Sequence, residues 1–66
     1  MDTDTFRMQM VSLIETHGVR SILIEIQRYL EARYRMFLET DAHEAKRNFD
    51  AAHTLSVIAP LIPGDL

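Results

Sequence analysis

Apolar residues recur with helical spacing through the middle of the chain. On a helix drawn at about 100° per residue, one side carries Val19, Ile22, Leu23, Ile26, Leu30, Tyr34 and Phe37. Charged residues lie mostly on the other side, so the pattern predicts an amphipathic helix over residues 19–39. A short strand over residues 21–26, which contain several isoleucines, is the alternative. The helical spacing continues for three more turns and no hairpin turn follows, which favours the helix.

A shorter helix is predicted over residues 5–16. Its apolar residues form one stripe of Phe6, Met10, Leu13 and Ile14. Aspartate and threonine residues just before it are suitable N-caps. Gly18 can end the helix in a left-handed conformation at little steric cost.

A third helix is predicted over residues 42–59. Asp41 and Glu44 have the spacing of a capping box, and Pro60 stops the helix. The expected inner face is rich in alanine and consists of Ala42, Ala45, Phe49, Ala52, His53, Ser56 and Ala59. The tail, residues 60–66, is expected to be irregular and to pack across the open end of the hairpin.

The short break between the second and third helices predicts that they are antiparallel neighbours. We therefore expect an all-α fold in a single domain over residues 1–66, with a short N-terminal helix packed on a helical hairpin. Ile26 and Phe49 are expected to lie in its core.

The small size of the chain indicates that it needs a partner. A domain of 66 residues buries only about 60% of the surface that its unfolded chain exposes. The sequence has no cysteine, and three scattered histidines do not make a structural zinc site. We expect a symmetric homodimer or higher homo-oligomer that completes a helical bundle, with another protein as the alternative partner.

Charge and hydropathy narrow the classes of partner. The net charge of −3 and the pI of about 5.4 give no general attraction to nucleic acid or anionic lipid. No apolar run approaches the roughly 20 residues of a membrane span, and the first residues are acidic rather than those of a basic signal region. The sequence therefore predicts a cytoplasmic protein that does not bind membranes.

Arg33 interrupts the apolar side of the second helix, between Leu30 and Phe37. A buried, unpaired guanidinium is very costly. Its side chain is expected either to reach solvent or to pair with Asp50, the nearest carboxylate in an antiparallel hairpin. Two further interpretations are an arginine that sets the register at a dimer seam and an arginine that binds a ligand.

Asp50 and His53 have the i, i+3 spacing that helical bundles use for metals. The glutamates of the second helix point away from the apolar side, so the other ligands of such a site are missing within one chain. A metal-dependent enzyme that uses Asp50 and His53 is therefore only an alternative. The preferred interpretation is that His53 is a core or interface residue. No cofactor is predicted.

The turn at Gly18 resembles the turn of a helix-turn-helix, in which a glycine joins two helices. The helix after Gly18 begins with residues too apolar for the major groove of DNA. This argues against DNA binding, so a nucleic-acid-binding regulator is only the other alternative.

Several apolar residues lie outside the main stripe, including Ile24 on the opposite side of the second helix. Packing by the first helix and the tail, or an intermolecular interface, would cover them. The interface candidates are Ile24, Arg33, Leu38, Asp50, His53, Leu55 and Ile58. The leading hypothesis is a non-enzymatic protein–protein interaction module, an adaptor or regulator, that acts as a helical homo-oligomer.

Overall fold

The computed structural model describes residues 2–66, so residue 1 of the predicted domain lies outside it. Three α-helices, α1 (Thr3–His17), α2 (Val19–Phe37) and α3 (Ala42–Ile58), are followed by a 3₁₀ turn at Ala59–Leu61. The described residues contain no strand, which confirms the all-α prediction. Each predicted helix is present, with ends that differ by at most two residues.

Aspartates begin two of the helices. The carboxylate of Asp2 accepts a hydrogen bond from the N–H of Asp4 at 3.1 Å, and that of Asp41 accepts from the N–H of Glu44 at 3.2 Å. Each satisfies one N–H that the first helical turn leaves free. The Glu44 carboxylate pairs with Arg47 at 3.0 Å, so only one of the two bonds of a capping box is formed.

Small side chains on α3 and at the start of the 3₁₀ turn form the contact with α2. Ala45, Ala52 and Ala59 are buried, as the alanine-rich inner face predicts. Asn48 is buried beside them, and its Nδ2 donates to the carbonyl oxygen of Glu44 at 2.7 Å. The prediction that Phe49 is a core residue is wrong, because 51% of its surface is exposed.

The side of α2 that faces α3 also differs from the prediction. Gln27 and Glu31 lie on it, half-buried, with Gln27 Nε2 donating to Glu31 Oε1 at 2.9 Å. Ile26, expected in the core, is 41% exposed. Ile24 was predicted to lie opposite the apolar stripe of α2. It is half-buried in a groove next to Ala59 and Pro60. The small side chains of α3 let it pack to one side of the large apolar stripe rather than on its centre.

Gly18 forms the elbow between α1 and α2. Its φ of 85° lies in the region that favours glycine, as the sequence predicts, with an extended ψ of 157°. Its N–H donates to the carbonyl oxygen of Ile14 at 2.7 Å, and the next N–H, of Val19, donates to the carbonyl oxygen of Leu66 at 3.2 Å. The tail therefore reaches the start of α2.

Arg20 holds the same segment from the side. Its guanidinium donates to the carbonyl oxygen of Pro60 at 3.3 Å and to that of Ile62. The tail thus lies at the open end of the hairpin, as predicted, but Leu61 and Leu66 remain exposed.

The described chain is a flat, open arrangement of helices. Its extents are 37 × 32 × 12 Å, and its radius of gyration is 13.9 Å. A compact domain of this length has a radius of gyration of about 11 Å. A single α-helix is about 10–12 Å across with its side chains. The helices therefore form little more than one layer.

Candidate protein-interaction surface

A line of side chains runs along α2 on the side turned away from α3. We call it the outer stripe, and it consists of Val19, Ile22, Ile26, Tyr29, Arg33 and Met36. Tyr29 and Met36 are 59% and 62% exposed, and no residue of α2 is buried. Ile26 is exposed as well, whereas Val19, Ile22 and Arg33 are half-buried. Large apolar side chains thus face outward over about three turns, from Ile26 to Met36.

Arg33 lies within the outer stripe and is held by aromatic neighbours. Its Nη1 donates to the hydroxyl oxygen of Tyr29 at 3.3 Å, and its Cζ lies 5.7 Å from the Tyr29 ring centroid and 5.0 Å from that of Phe37. These are cation–π distances. The expectation that Arg33 covers apolar surface while its charged end reaches solvent agrees with this geometry.

The predicted pairing of Arg33 with Asp50 within the chain is wrong. Asp50 is bonded to Lys46 one turn earlier on α3, with Nζ and Oδ2 2.8 Å apart. Arg33 instead contacts Tyr29 and Phe37 on its own helix. Among residues 2–66, no carboxylate lies within ion-pair distance of Arg33.

Helix α1 adds a second set of exposed apolar side chains. Phe6, Met8, Val11 and Leu13 are all exposed, and no residue of α1 is buried. Of the helices described, α1 packs only against α2. Of the stripe predicted for α1, Met10 and Ile14 are half-buried, whereas Phe6 and Leu13 are exposed.

The remaining interface candidates are distributed over the hairpin. Leu38 and Ile58 are exposed and Leu55 is half-buried. They lie at opposite ends of the hairpin, since Leu38 follows α2 and Ile58 ends α3. The structure does not bring them together with Arg33 into one patch, and their role at an interface stays a prediction.

His53 belongs to an aromatic cluster between α2 and α3. Phe49 lies 5.3 Å from the Tyr34 ring and 6.4 Å from the His53 ring, with the last two rings nearly parallel. An open cleft of about 290 Å³ borders this cluster. Asp50 does not line the cleft, and residues 2–66 contain no group of three or more side chains placed to hold a metal ion.

Three basic residues of the hairpin are bonded to nearby acids. Arg28 pairs with Glu25 at 2.9 Å and Arg47 with Glu44 at 3.0 Å, besides the pair of Lys46 with Asp50. Each pair joins neighbours on one helix and faces solvent. These carboxylates reduce the positive potential that a phosphate backbone would meet.

Sequence reasoning missed two structural features. Tyr29 and Met36 are not among the residues of the apolar side predicted for α2, whereas both are strongly exposed members of the outer stripe. Charged residues of α2 are predicted to lie mostly opposite its apolar side, whereas Arg20 is half-buried and holds the tail. The signal for the outer stripe is its spacing, since its members follow one another at alternating steps of three and four residues.

Comparison with known protein families, curated proteins and solved structures finds no match to this chain. None of the helices in the described range has the length and apolar character that crossing a bilayer requires.

Proposed function

We propose that this protein is a non-enzymatic protein–protein interaction module that works as a helical homodimer through the outer stripe of α2. The observation that supports this proposal is the exposed stripe on a chain one helical layer thick. Domains generally bury the apolar side of one layer against a second layer. Here a second copy supplies that layer.

The surface area of the chain is consistent with this role. The described structure exposes 5264 Å², whereas a compact monomer of 7.6 kDa exposes about 4,300 Å². The excess is about 1,000 Å². A standard interface buries about 800 Å² on each partner, so the excess is sufficient for one stable dimer contact.

A second copy is favoured over an unrelated partner by the stripe itself. Two-fold symmetric dimers use one patch on both subunits, which must complement itself. The outer stripe is straight, contains isoleucine, tyrosine and methionine side chains, and carries only one charge. Two such stripes placed face to face bury apolar surface on both copies.

Sedimentation at low micromolar concentration tests this proposal. We expect a dimer for the natural sequence and a large shift toward monomer for Met36→Lys, because the new ammonium must be desolvated at the seam. Ser21→Lys is the matched control, since Ser21 is an exposed polar residue on the same helix outside the stripe. A natural chain that stays monomeric throughout would refute the homodimer.

The two other interpretations stay predictions. A helix-turn-helix regulator requires a continuous basic surface, and a mobility-shift assay at low salt tests it. A metal-dependent enzyme using Asp50 and His53 requires further ligands, and elemental analysis of the purified protein tests that. No feature of residues 2–66 described above favours either over the interaction module.

A further inference from the structure

The outer stripe has the spacing of a coiled-coil seam. Its six residues occupy alternating a and d positions of three heptads, with Val19, Ile26 and Arg33 at a and Ile22, Tyr29 and Met36 at d. Of these residues, Ile26, Tyr29 and Met36 are exposed, and Val19, Ile22 and Arg33 are half-buried. The pattern and the exposure therefore point to pairing of α2 with another helix along this line.

Arg33 determines which orientation two copies of α2 can adopt. In a parallel pair the a position of one helix faces the a position of the other, so the two guanidinium groups would meet inside the seam. Like charges brought together with loss of water are strongly unfavourable. Among the described residues, no carboxylate pairs with Arg33 to offset this repulsion.

An antiparallel pair removes the conflict. Centring the pair between Gln27 and Arg28 places every a residue opposite a d residue of the other copy, with Arg33 opposite Ile22 and Ile26 opposite Tyr29. The two arginines are then about 16 Å apart along the axis, at 1.5 Å per residue. Glu25 of the second copy lies within one turn of Ile22 and supplies an acidic neighbour for Arg33.

We propose that two copies of α2 pair in antiparallel orientation through the outer stripe, with Arg33 excluding the parallel arrangement. This inference rests on the homodimer proposed above and specifies its geometry. It identifies Arg33 as the residue that sets orientation and register, at some cost in affinity, as single polar a residues do in coiled coils.

Distances between spin labels test the orientation. The sequence contains no cysteine, so Ser21→Cys and Arg35→Cys each create one labelling site, both exposed and outside the stripe. In the antiparallel dimer, labels at the same position are about 20 Å apart along the axis at either site. A label at position 21 of one copy and one at position 35 of the other are offset by only about 2 Å.

The measurement uses full-length protein whose assembly has first been determined by sedimentation. We expect long distances within each singly labelled dimer and a short distance in the mixed dimer. Short distances within the singly labelled dimers, or a broad mixture of both, would overturn the antiparallel inference and leave the homodimer intact. Labelled and unlabelled protein that remain monomeric would refute the homodimer, and with it this inference.

Arg33→Leu tests the role of the arginine separately. Removing the charge from the seam is expected to tighten dimerisation at least about tenfold, because two leucines replace two partly desolvated guanidinium groups. Singly labelled dimers carrying Arg33→Leu should also gain a population with short distances. Arg35→Leu, outside the stripe, is the matched control and should change neither result. Unchanged affinity and unchanged distances in Arg33→Leu would show that Arg33 does not set the orientation.

Discussion

At the scale of single residues, Gly18 has the strictest conformational requirement. Its φ is 85°, and a Cβ added there would lie 2.9 Å from the carbonyl oxygen of Leu66. We expect Gly18→Ala to lower the free energy of unfolding by about 1–3 kcal/mol, through backbone strain and displacement of the tail. Urea unfolding at fixed protein concentration measures this loss.

Gly64 offers the matched control for that substitution. A Cβ at Gly64 would meet only the end of the Arg20 side chain, at 3.2 Å, which can move aside. Gly64→Ala should therefore change stability by less than Gly18→Ala. Equal losses in the two variants would mean that the elbow conformation is not what Gly18 provides.

The roles of single residues were predicted best where they depend only on neighbours in the sequence. Asp41 caps α3, and Gly18 adopts positive φ, because both roles are decided within a few residues of the chain. Arg20 could not be assigned in the same way. Its partners, the carbonyl groups of Pro60 and Ile62, lie forty residues or more along the chain, and no local pattern marks such a contact.

At the scale of helices, the α2–α3 contact depends on small side chains. Ala52 is 5% exposed, whereas its neighbour Ala51 is exposed. Ala52→Leu should push the helices apart and lower the free energy of unfolding by about 1–3 kcal/mol, as measured by thermal or urea unfolding. Ala51→Leu adds the same atoms outside the contact and should be close to neutral. A neutral Ala52→Leu would indicate that the helices do not approach at this alanine.

Phe49 gives a second test of the same contact. A buried phenylalanine replaced by alanine costs about 3–5 kcal/mol, but half of Phe49 is exposed and it packs mainly against Tyr34 and His53. We expect Phe49→Ala to lower the free energy of unfolding, measured in urea, by less than half of those values. A loss within the full range would place Phe49 in a core that the isolated chain does not have.

The periodicity of apolar residues predicted the three helices, but it did not predict which side of α2 contacts α3. The large apolar residues of α2 suggested that its stripe faces α3, since the most apolar side usually forms the core. Packing instead follows the alanines of α3, which accept the side carrying Gln27 and Glu31. An apolar stripe shows that a helix buries one side, and it does not distinguish burial within the chain from burial against a second chain.

At the scale of the whole molecule, length and composition predict a need for a partner, and the flat shape is consistent with that prediction. The outer stripe and the apolar side of α1 are both only partly covered within the described chain. The candidate residues named from the sequence alone included Arg33 but not Tyr29 or Met36. Those two were missed because a stripe centred on Leu30 places them at its edge, whereas a stripe centred on Ile26 and Arg33 places them within it.

The concentration dependence of thermal unfolding tests this whole-molecule view. If the fold is completed by a second copy, dissociation accompanies unfolding, and mass action raises Tm with protein concentration. A tenfold increase in protein concentration stabilises the folded dimer against unfolded monomers by about 1.4 kcal/mol per mole of dimer. This is enough to raise Tm by a few degrees in a domain this small. Circular dichroism at 222 nm over a hundredfold concentration range measures the shift.

The Met36→Lys variant makes the result specific to the outer stripe. It should melt at a lower temperature than the natural chain, and its Tm should depend less on protein concentration because it is largely monomeric. Ser21→Lys should melt like the natural chain. A Tm independent of concentration in all three proteins would mean that one layer of helices is stable by itself. The large apolar side chains on α2 would then need a different explanation from completion of the fold.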